Sequence, residues 1–465
     1  MSALCVFQAA RESPDRVALI EGNRQLSFGE VAAQAAPRAA ALLARRPKAL
    51  ALTPRAELES LLWLYAAFAT GTPVLTLHAR ATPADRLRAC ANLGASEPPA
   101  LGQATLEASQ LPVVPDDTPL AFIPTSGSSG APRLVQLSRG AMLASARASE
   151  KNLGWVEADR WLLCLPLAHT GGLSIVVRCL AARQAVLLFE PGPGGALANP
   201  NGLRQAASQA TLVSVVPSLL DTLLDAGFVG SPGLRAVLVG GAGCSPALAE
   251  RARGAGIPLL TSYGLTETAS QVVTRRYAER FEPLPERAGV VSSGHPLPGV
   301  ELELRGSAIA VRAPSLFSGY WGEAAPCLDA DGFLLTNDHG ELGEHGELYV
   351  RGRNDDVIVS SGENVDPLEV EAALRALPGV RAACVFGTPS ARFGQVVTAV
   401  LLADDHGLAD TARLAGLLAE RLAKPKLPRR VLLADSLPLT ESGKVDRRAA
   451  RERYASAFLE DEPSR

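Results

Sequence analysis

Apolar and polar positions follow two different periods along the first 350 residues of the chain. Residues 32–45 are rich in Ala and Leu and have helical spacing. Short apolar runs of the kind that form buried strands recur at residues 74–77, 162–165, 185–189, 212–216 and 236–239. Helices between such runs indicate βαβ units and a largely parallel sheet. Open sheets of this kind bind ligands beyond the carboxyl ends of their strands, so we expect a functional site there.

The pattern changes near residue 300. Residues 300–304 and 348–350 alternate apolar and polar positions, as antiparallel strands do. Helices and strands then alternate in a compact α+β pattern at residues 367–377, 383–386, 396–402 and 411–422. We therefore predict an α/β protein with a large N-terminal domain (1–352) of βαβ-type sheets and helices and a small α+β C-terminal domain (353–465).

Residues 60–77 carry no charge, and a membrane-spanning helix is the first interpretation of such a stretch. Gly71, Thr72 and Pro73 interrupt it, however, and the residues after them have the pattern of a short strand. We therefore predict a helix, a turn and a strand within an α/β core, and no membrane span.

Composition excludes some classes of protein. Hydrophobic residues make up 47% of the chain and charged residues 20%, so a large core can form. The 45 basic residues are balanced by 48 acidic ones, which argues against a nucleic-acid partner. The seven cysteines have no CxxC spacing, as expected for reduced thiols without a metal site. The N-terminus lacks the pattern of a signal peptide, so we expect a cytoplasmic protein.

A cluster of hydroxyl and glycine residues follows the apolar run 120–123. It comprises Thr125, Ser126, Gly127, Ser128, Ser129 and Gly130, and Arg133 lies shortly after it. Glycines allow close backbone approach, and converging N–H and hydroxyl groups can surround an anion. No Lys-Ser or Lys-Thr follows the second glycine, so this is not the common G-x-x-x-x-G-K-[ST] loop. By itself the segment fits a phosphate-binding loop and a flexible surface loop equally well.

Further polar segments occur at residues 262–268, 336–340, 352–356, 360–365 and 438–444. Each is a weak signal alone. In this order and spacing, together with the 125–130 loop, they resemble the adenylate-forming superfamily of acyl-CoA synthetases, luciferase-like enzymes and non-ribosomal adenylation domains. The resemblance extends from Pro14 to Lys444, and it implies that the C-terminal domain is mobile.

The resemblance implies a binding site for Mg·ATP. The 125–130 loop would hold the β- and γ-phosphates, Tyr263 would lie against the adenine, and Thr266 would donate to the α-phosphate. Glu267 would bind Mg²⁺, and Asp338 would accept both ribose hydroxyls. The remaining nucleotide contacts would come from Gly240, Gly241, Ala242 and Arg353.

The sequence departs from the superfamily's pattern at two positions. Arg133 stands where the phosphate loop usually has Lys, and we expect it to serve as a second cation on the phosphates. Asn337 stands where the ribose motif usually has Gly, and Asn tolerates the positive φ that such a turn would need.

Lys444 matches the superfamily's catalytic lysine. Only five of the 45 basic residues are Lys, so a lysine kept at this position needs a reason. A mobile ammonium there would bridge the substrate carboxylate and the α-phosphate. The resemblance also implies a hinge at Asp355, about which the C-terminal domain reorients to bring Gly362 and Glu363 towards the thiol of CoA.

The chain has no acid near residues 165–174 to pair the amine of an amino-acid substrate, so a free carboxylic acid with CoA as acceptor fits better. Within the superfamily, these residues and residues 262–274 and 361–365 are similar to the o-succinylbenzoate–CoA ligases of menaquinone biosynthesis. The resemblance implies that His169 lies at the mouth of an acyl pocket and that Gly171 and Gly172 leave room for a ring. Candidate polar contacts to a second carboxylate are Ser270 and Gln271, with Ser214, Ser218 and Thr274.

Alternative functions stay open at this point. The chain fits another aryl- or medium-chain acyl-CoA ligase, a stand-alone adenylation enzyme that loads a carrier protein, or a nucleotide-binding module without catalysis. The partners expected in the main interpretation are a small carboxylic acid, ATP and CoA. A homo-oligomer is compatible with the sequence, which does not indicate an oligomeric state.

Overall fold

The structure is a computed structural model that describes residues 3–457 except 80, 102–105, 107–109, 126–132, 193–194, 324–326, 354–355, 361–362, 391–393, 441–443 and 455–456. Its α-helices are α1 (Val6–Glu12), α2 (Phe28–Arg45), α3 (Leu58–Thr70), α4 (Pro83–Leu93), α5 (Arg139–Leu153), α6 (Thr170–Ala182), α7 (Pro200–Ala207), α8 (Pro217–Asp225), α9 (Pro246–Gly254), α10 (Pro367–Arg375), α11 (Thr411–Leu418) and α12 (Arg447–Tyr454).

The strands are β1 (Val17–Glu21), β2 (Arg24–Ser27), β3 (Ala49–Leu52), β4 (Val74–Thr76), β5 (Ala95–Ser96), β6 (Pro119–Thr125), β7 (Arg133–Ser138), β8 (Arg160–Leu163), β9 (Ala185–Leu188), β10 (Leu212–Val215), β11 (Ala236–Val239), β12 (Leu259–Leu265), β13 (Ser270–Thr274), β14 (Glu286–Arg287), β15 (Val290–Val291), β16 (His295–Pro296), β17 (Glu301–Arg305), β18 (Ala308–Arg312), β19 (Gly319–Tyr320), β20 (Leu334–Leu342), β21 (Leu348–Arg353), β22 (Ile358–Ser360), β23 (Glu363–Val365), β24 (Val380–Ser390), β25 (Gly394–Ala403) and β26 (Arg430–Leu433).

Two mixed sheets dominate the first 300 residues. One has six strands in the order β19-β7-β6-β4-β3-β5, and the other has nine in the order β16-β13-β12-β11-β10-β8-β9-β1-β2. The inner strands of each sheet are parallel, while β7 and β19 in one and β2, β13 and β16 in the other are antiparallel. The predicted parallel sheet is therefore two largely parallel sheets, in which β5 is a parallel edge strand and the other edges carry antiparallel strands.

Helices α2, α3, α5 and α6 connect the two sheets through one buried core. Leu50 and Val74 from the smaller sheet belong to the same apolar cluster as Leu19 and Leu163 from the larger one. Helix α3 is buried on all sides from residue 60 to residue 70, and it ends at Gly71 with a left-handed φ of +73°. The uncharged stretch is thus a buried helix, a turn and strand β4, as the sequence predicts. Among the described residues, no helix combines the length and apolar character needed to cross a membrane.

The last third of the chain forms two smaller sheets. Strands β17, β18, β20 and β21 make an antiparallel sheet, as their alternating pattern predicts. Strands β22 to β26 form the final sheet, against which α10 and α12 pack. The change of sheet falls between Arg353, which still pairs with Asp338, and Ile358. Arg353 therefore continues the N-terminal sheet, and a domain boundary at this change of sheet stays a prediction.

Most predicted elements are present, with shifted ends. Helix α2 starts before residue 32, at Phe28, because the Ser27 side chain accepts the N–H of Glu30 while the Glu30 carboxylate accepts that of Ser27. Strand β8 covers residues 160–163 instead of 162–165. Its ladder with β9 stops at Leu163, two residues before a Leu-Pro step that cannot continue a central strand.

Candidate active site

Three neighbouring strands bring the candidate site together at one edge of the nine-stranded sheet. Strands β10, β11 and β12 are parallel, so their carboxyl ends meet. Gly240 and Gly241 follow β11 directly, and a Cβ on Gly240 would lie 2.4 Å from Oγ of Ser262. Gly241 has a φ of +78°, which also favours glycine. The close backbone wall predicted at Gly240, Gly241 and Ala242 therefore has a steric basis, and its contact with a nucleotide stays a prediction.

Lys444 reaches this edge from the C-terminal end of the chain. A Cβ on Gly241 would lie 3.2 Å from Nζ of Lys444, so the ammonium rests against the backbone after β11. The N–H of Thr440 donates to the carbonyl of Lys444 at 2.6 Å, and the N–H of Lys444 donates back to Oγ1 of Thr440 at 3.1 Å. Burial lowers the pKa of Lys444, and the charge of Asp338 opposes that shift. Within the described part of the chain, no carboxylate oxygen lies within 4.0 Å of this Nζ.

Asp338 and Tyr263 form a hydrogen-bonded pair near this lysine. The Tyr263 hydroxyl donates to Oδ2 of Asp338 at 2.9 Å, and Nε of Arg353 lies 3.8 Å from Oδ1. Asp338 and Arg353 face each other because they are register partners in β20 and β21. Burial raises the pKa of Asp338, while the bond from Tyr263 lowers it. The three predicted nucleotide residues lie together, and their contacts with ribose and adenine stay predictions.

The turn expected at Asn337 is absent. Asn337 lies inside β20, a continuous strand from Leu334 to Leu342. The described non-glycine residues with positive φ are Arg46, Arg183, Ala269, Ser270 and Ala288. The expectation of a positive φ at Asn337 was therefore wrong, because an extended strand accepts Asn as readily as Gly.

Glu267 lies in a short 3-10 helix, Thr266–Thr268, that follows β12. Its Oε1 accepts a hydrogen bond from the hydroxyl of Tyr320 at 2.8 Å. Among the described residues there is no group of three or more His, Cys, Asp or Glu side chains that could hold a metal ion. A single carboxylate still suits Mg²⁺, which nucleotide sites hold with one or two carboxylates and the phosphates.

Arg133 begins strand β7 and is already engaged by the protein. Its Nε donates to Oε1 of Glu323 at 2.6 Å, a second nitrogen bonds to Oε2, and its guanidinium carbon lies 3.3 Å from the centre of the Tyr320 ring. Thr125 lies opposite in β6, and its hydroxyl donates to the carbonyl of Arg133 at 3.4 Å. The other predicted phosphate-loop residues lie outside the described residues: Ser126, Gly127, Ser128, Ser129 and Gly130.

His169 precedes helix α6, at the N-cap position. Its ring centre lies 5.4 Å from that of His78. Burial lowers the pKa of His169 to about 4, and the charges of His78 and Lys444 act in the same direction. Its Nε2 is buried and has no hydrogen-bond partner among the described residues. The imidazole is therefore neutral near pH 7, and its predicted contact with the acid stays a prediction.

Gly171 and Gly172 lie where added side chains would meet the loop that precedes α6. A Cβ on Gly172 would lie 2.4 Å from the carbonyl oxygen of Pro166, and one on Gly171 would lie 3.2 Å from Cδ1 of Leu165. The missing side chains thus make room for the preceding loop. That these two glycines also leave space for a substrate ring stays a prediction.

The predicted contacts to a second carboxylate are partly engaged by neighbours. Ser270 has a left-handed φ of +96°, and its Oγ lies 3.5 Å from Oγ of Ser174. The amide of Gln271 donates to Ser149 at 3.3 Å. The Ser214 hydroxyl accepts from the Trp161 indole, Ser218 lies in α8, and the buried hydroxyl of Thr274 has no partner among the described residues. Their contacts with a substrate stay predictions.

Arg178 is a candidate that sequence reasoning missed. It lies in α6, is 3% exposed, and its guanidinium lies 3.5 Å from Oγ of Ser270 and 5.3 Å from the Trp161 ring centre. Burial lowers its pKa to about 10, so it stays charged near neutral pH. Among the described residues, no carboxylate oxygen lies within 4.0 Å of it, and Nε has no acceptor. A single charge within the apolar residues 175–180 was the signal available in the sequence.

Two further predicted residues, the hinge Asp355 and the CoA-side Gly362, lie outside the described residues. Glu363 belongs to β23, but its side chain is not described.

Comparisons with known proteins show the family of the chain. Residues 92–321 match the family model of the AMP-binding enzymes, and residues 369–444 match that of the AMP-binding enzyme C-terminal domain. The 2-succinylbenzoate–CoA ligase of Bacillus velezensis is 30% identical, over 96% of this chain and 97% of that protein.

Solved structures resemble the whole chain. The o-succinylbenzoate CoA synthetase of Bacillus subtilis in complex with its acyl-adenylate intermediate is 27% identical, with a TM-score of 0.83 over 99% of this chain and 98% of that one. The same enzyme with ATP and a magnesium ion is 28% identical, with a TM-score of 0.82 over 96% and 98%.

Proposed function

The chain belongs to the family of AMP-binding enzymes, and from this premise we propose that it is an acid–thiol ligase that converts 2-succinylbenzoate, ATP and CoA into 2-succinylbenzoyl-CoA, AMP and pyrophosphate. A 2-succinylbenzoate–CoA ligase is among its relatives over nearly the full length of both chains. This reaction is a step of menaquinone biosynthesis, as the sequence resemblance implied.

The observation that carries the proposal is the position of Lys444. A residue that follows the final sheet rests against Gly241, at the carboxyl end of β11, close to Asp338. A carboxylate oxygen of the acid attacks the α-phosphorus of ATP, and the bond to pyrophosphate breaks. Both reactants are anions, so an ammonium between them offsets their repulsion and stabilises the charge that develops on phosphorus. Thr266 would add a donor to the α-phosphate.

Glu267 would hold Mg²⁺ through one of its carboxylate oxygens, with the phosphates as further ligands. When bound, Mg²⁺ supplies positive charge against the phosphates. Tyr263, Asp338 and Arg353 would hold the adenosine, and they already form one hydrogen-bonded and charge-paired set.

In the second half-reaction the thiol of CoA attacks the acyl carbonyl and AMP leaves. We propose that the C-terminal domain turns about Asp355 between the two steps, which withdraws Lys444 and brings the segment with Gly362 and Glu363 to the pocket. One site must exclude water around two different second substrates, and such a turn meets that need.

The choice of acid is supported by Arg178. 2-Succinylbenzoate keeps a second carboxylate after the first is activated, and burying that charge requires a cation. Arg178 is a buried cation that lacks a carboxylate partner among the described residues, beside the predicted contact Ser270. A benzoate or a fatty acid offers nothing to pair with it. The free, scattered cysteines and these co-substrates support the cytoplasm as the location.

Thioester formation that depends on ATP, acid and CoA tests the proposal, with 2-succinylbenzoate, benzoate and octanoate compared. We expect efficient turnover of 2-succinylbenzoate and a kcat/KM at least about 100-fold lower for the two monocarboxylates, since a buried cation would stay unpaired. Preference for octanoate or benzoate would favour another acyl-CoA ligase. Transfer to a phosphopantetheinyl protein but not to CoA would favour a carrier-loading enzyme, and ATP binding without pyrophosphate release would favour a non-catalytic module.

A further inference from the structure

Tyr320 contacts both Arg133 and Glu267, two residues that the proposed reaction does not link to each other. Tyr320 ends strand β19, whose backbone pairs with β7, the strand that begins at Arg133. The guanidinium of Arg133 lies over the ring of Tyr320, with its central carbon 3.3 Å from the ring centre. Glu323 holds that guanidinium with both of its carboxylate oxygens. Two planar groups are thus stacked and fixed from one side.

The hydroxyl of Tyr320 points in the other direction, to Glu267. It donates to Oε1 at 2.8 Å, which leaves Oε2 for another partner. Burial and the nearby Glu267 charge raise the pKa of Tyr320, so its hydroxyl keeps its proton and remains a donor. The Phe317 ring packs edge-on against Tyr320 with centres 4.9 Å apart, and the N–H of Phe317 donates to the carbonyl of Glu267 at 2.8 Å.

We propose that Arg133 is a positioning residue for the Mg²⁺-binding carboxylate of Glu267, acting through Tyr320, and that it does not serve as a phosphate ligand. This inference rests on the proposed function, because it needs Glu267 to hold the metal. Stacking and the Glu323 pair fix the plane of the Tyr320 ring, and the ring fixes one oxygen of Glu267. The other oxygen then faces the metal in one orientation, without the cost of ordering it when Mg·ATP binds.

The arginine at this position is explained by the same contacts. A lysine has one ammonium on a flexible stem, so it cannot stack as a plane on Tyr320 while it bonds to both oxygens of Glu323. Arg133→Lys therefore keeps the charge beside the phosphate loop but removes the flat, two-point contact. A phosphate ligand and a positioning residue respond differently to this change.

The test combines Arg133→Lys, Tyr320→Phe and the double variant. Binding of Mn²⁺ to the enzyme–ATP complex is measured by electron paramagnetic resonance without any acid, and binding of ATP is measured separately in EDTA. We expect each single variant to weaken Mn²⁺ binding about tenfold, a magnitude usual for groups that orient a metal ligand. We expect the double variant to bind Mn²⁺ no more weakly than the single variant with the lower Mn²⁺ affinity, because both changes break the same chain of contacts. The affinity for ATP in EDTA should change less than twofold in every variant.

Arg312 offers a matched control. It too stacks on an aromatic ring, with its guanidinium carbon 4.7 Å from the centre of Phe333, and it pairs with both oxygens of Glu301. Arg312→Lys makes the same chemical change at an exposed site on β18, and it should leave Mn²⁺ binding unchanged.

Several outcomes overturn the inference. If Arg133→Lys weakens ATP binding in EDTA, and does so equally in the Tyr320→Phe background, Arg133 contacts the phosphates directly. If Mn²⁺ binds both single variants as it binds the wild type, the chain from Arg133 to Glu267 has no role. Wild-type enzyme that does not bind Mn·ATP at all would instead refute the proposed function. Should Arg133→Lys fail to fold, Tyr320→Phe, which loses only a hydroxyl, still decides whether this contact orients the metal ligand.

Discussion

Two arginines near the candidate site, Arg133 and Arg178, differ in whether the protein provides a carboxylate to pair with them. Arg133 is about one-third exposed, pairs with Glu323 and stacks on Tyr320. Arg178 is fully buried, and within the described residues it has no carboxylate partner. A buried charge without a partner costs stability unless a ligand supplies the opposite charge. Beside the proposed metal ligand Glu267, the cation is therefore already paired within the protein, while the unpaired Arg178 is available for the second carboxylate that we propose the substrate carries.

Lys444 resembles Arg178 in this respect. It is partly buried, its pKa is lowered, and no described carboxylate lies within ion-pair distance. A second lysine of the C-terminal region, Lys426, has the opposite environment, because its Nζ donates to both oxygens of Glu369 at 2.6 and 2.7 Å. Lys426 is thus neutralised by a carboxylate of the protein, whereas Lys444 and Arg178 have no such partner among the described residues, as our proposed roles for them require.

The largest effect is expected from removing the unpaired lysine. Lys444→Ala should slow pyrophosphate release by ~10²–10³-fold, since a well-placed charge on the transition state is lost. Thioester formation from supplied acyl-adenylate should be spared, because the lysine acts only in the first step. Lys426→Ala, which removes a paired lysine, should leave both steps nearly unchanged. Equal loss in the two half-reactions of Lys444→Ala would contradict the assigned role.

Arg178→Met should have the next largest effect. It should lower activity with 2-succinylbenzoate and raise the stability of the ligand-free protein. We expect kcat/KM for 2-succinylbenzoate to fall ~10²-fold, as the substrate's second carboxylate loses its partner, while kcat/KM for benzoate stays the same or rises. The ligand-free protein should become more stable by roughly 1–4 kcal/mol in chemical denaturation, because an uncompensated buried charge is gone.

Arg275→Met is the control for the expected gain in stability. Arg275 is also 3% exposed, but its guanidinium donates to the backbone carbonyls of Glu279, Glu282 and Pro283. Its removal leaves those acceptors unsatisfied and should destabilise the protein. If Arg178→Met destabilises as Arg275→Met does, Arg178 is a structural cation and the contrast with Arg133 fails.

The pH dependence of stability should report the burial of His169, whose pKa the charges of His78 and Lys444 lower further. The unfolded imidazole binds a proton near pH 6.5, whereas the buried one does so only near pH 4. The unfolded state therefore binds more protons between these values, so this contribution to stability is complete above pH 6.5 and is lost as pH falls towards 4. The wild type therefore loses free energy of unfolding as pH falls from 6.5 to 4. In His169→Gln this loss should be smaller by on the order of 3 kcal/mol. Lys444→Ala should raise the pKa of His169, measured by NMR, because a repelling charge is removed.

The sequence predicted architecture better than local roles. The apolar runs that became β4, β10 and β11 were found because burial on both faces of a parallel strand leaves an unmistakable pattern. The turn expected at Asn337 was wrong, and the close approach of Gly172 to the loop before α6 was not predicted, since each depends on a strand pairing or a backbone approach that no local pattern records. The role predicted for Lys444 came from the resemblance and from the scarcity of lysine, and it stays a prediction. Whether a cation has a partner depends on residues far apart in the chain, such as Arg133 and Glu323.

The smallest effect is expected from changing Glu323, which contacts Arg133 and lies furthest along the chain of contacts from Glu267. Glu323→Gln removes the charge that holds Arg133 but leaves the stacked guanidinium and the hydroxyl of Tyr320 in place. Because Arg133 and Glu323 are both more than one-third exposed, water screens their attraction, and stability should change by less than about 1 kcal/mol. Mn²⁺ binding to the ATP complex should weaken only about twofold to threefold, less than in Tyr320→Phe. A loss as large as that of Tyr320→Phe would mean that the ion pair, and not the stacked ring, orients Glu267, and the protein would then depend on an exposed contact for its metal site.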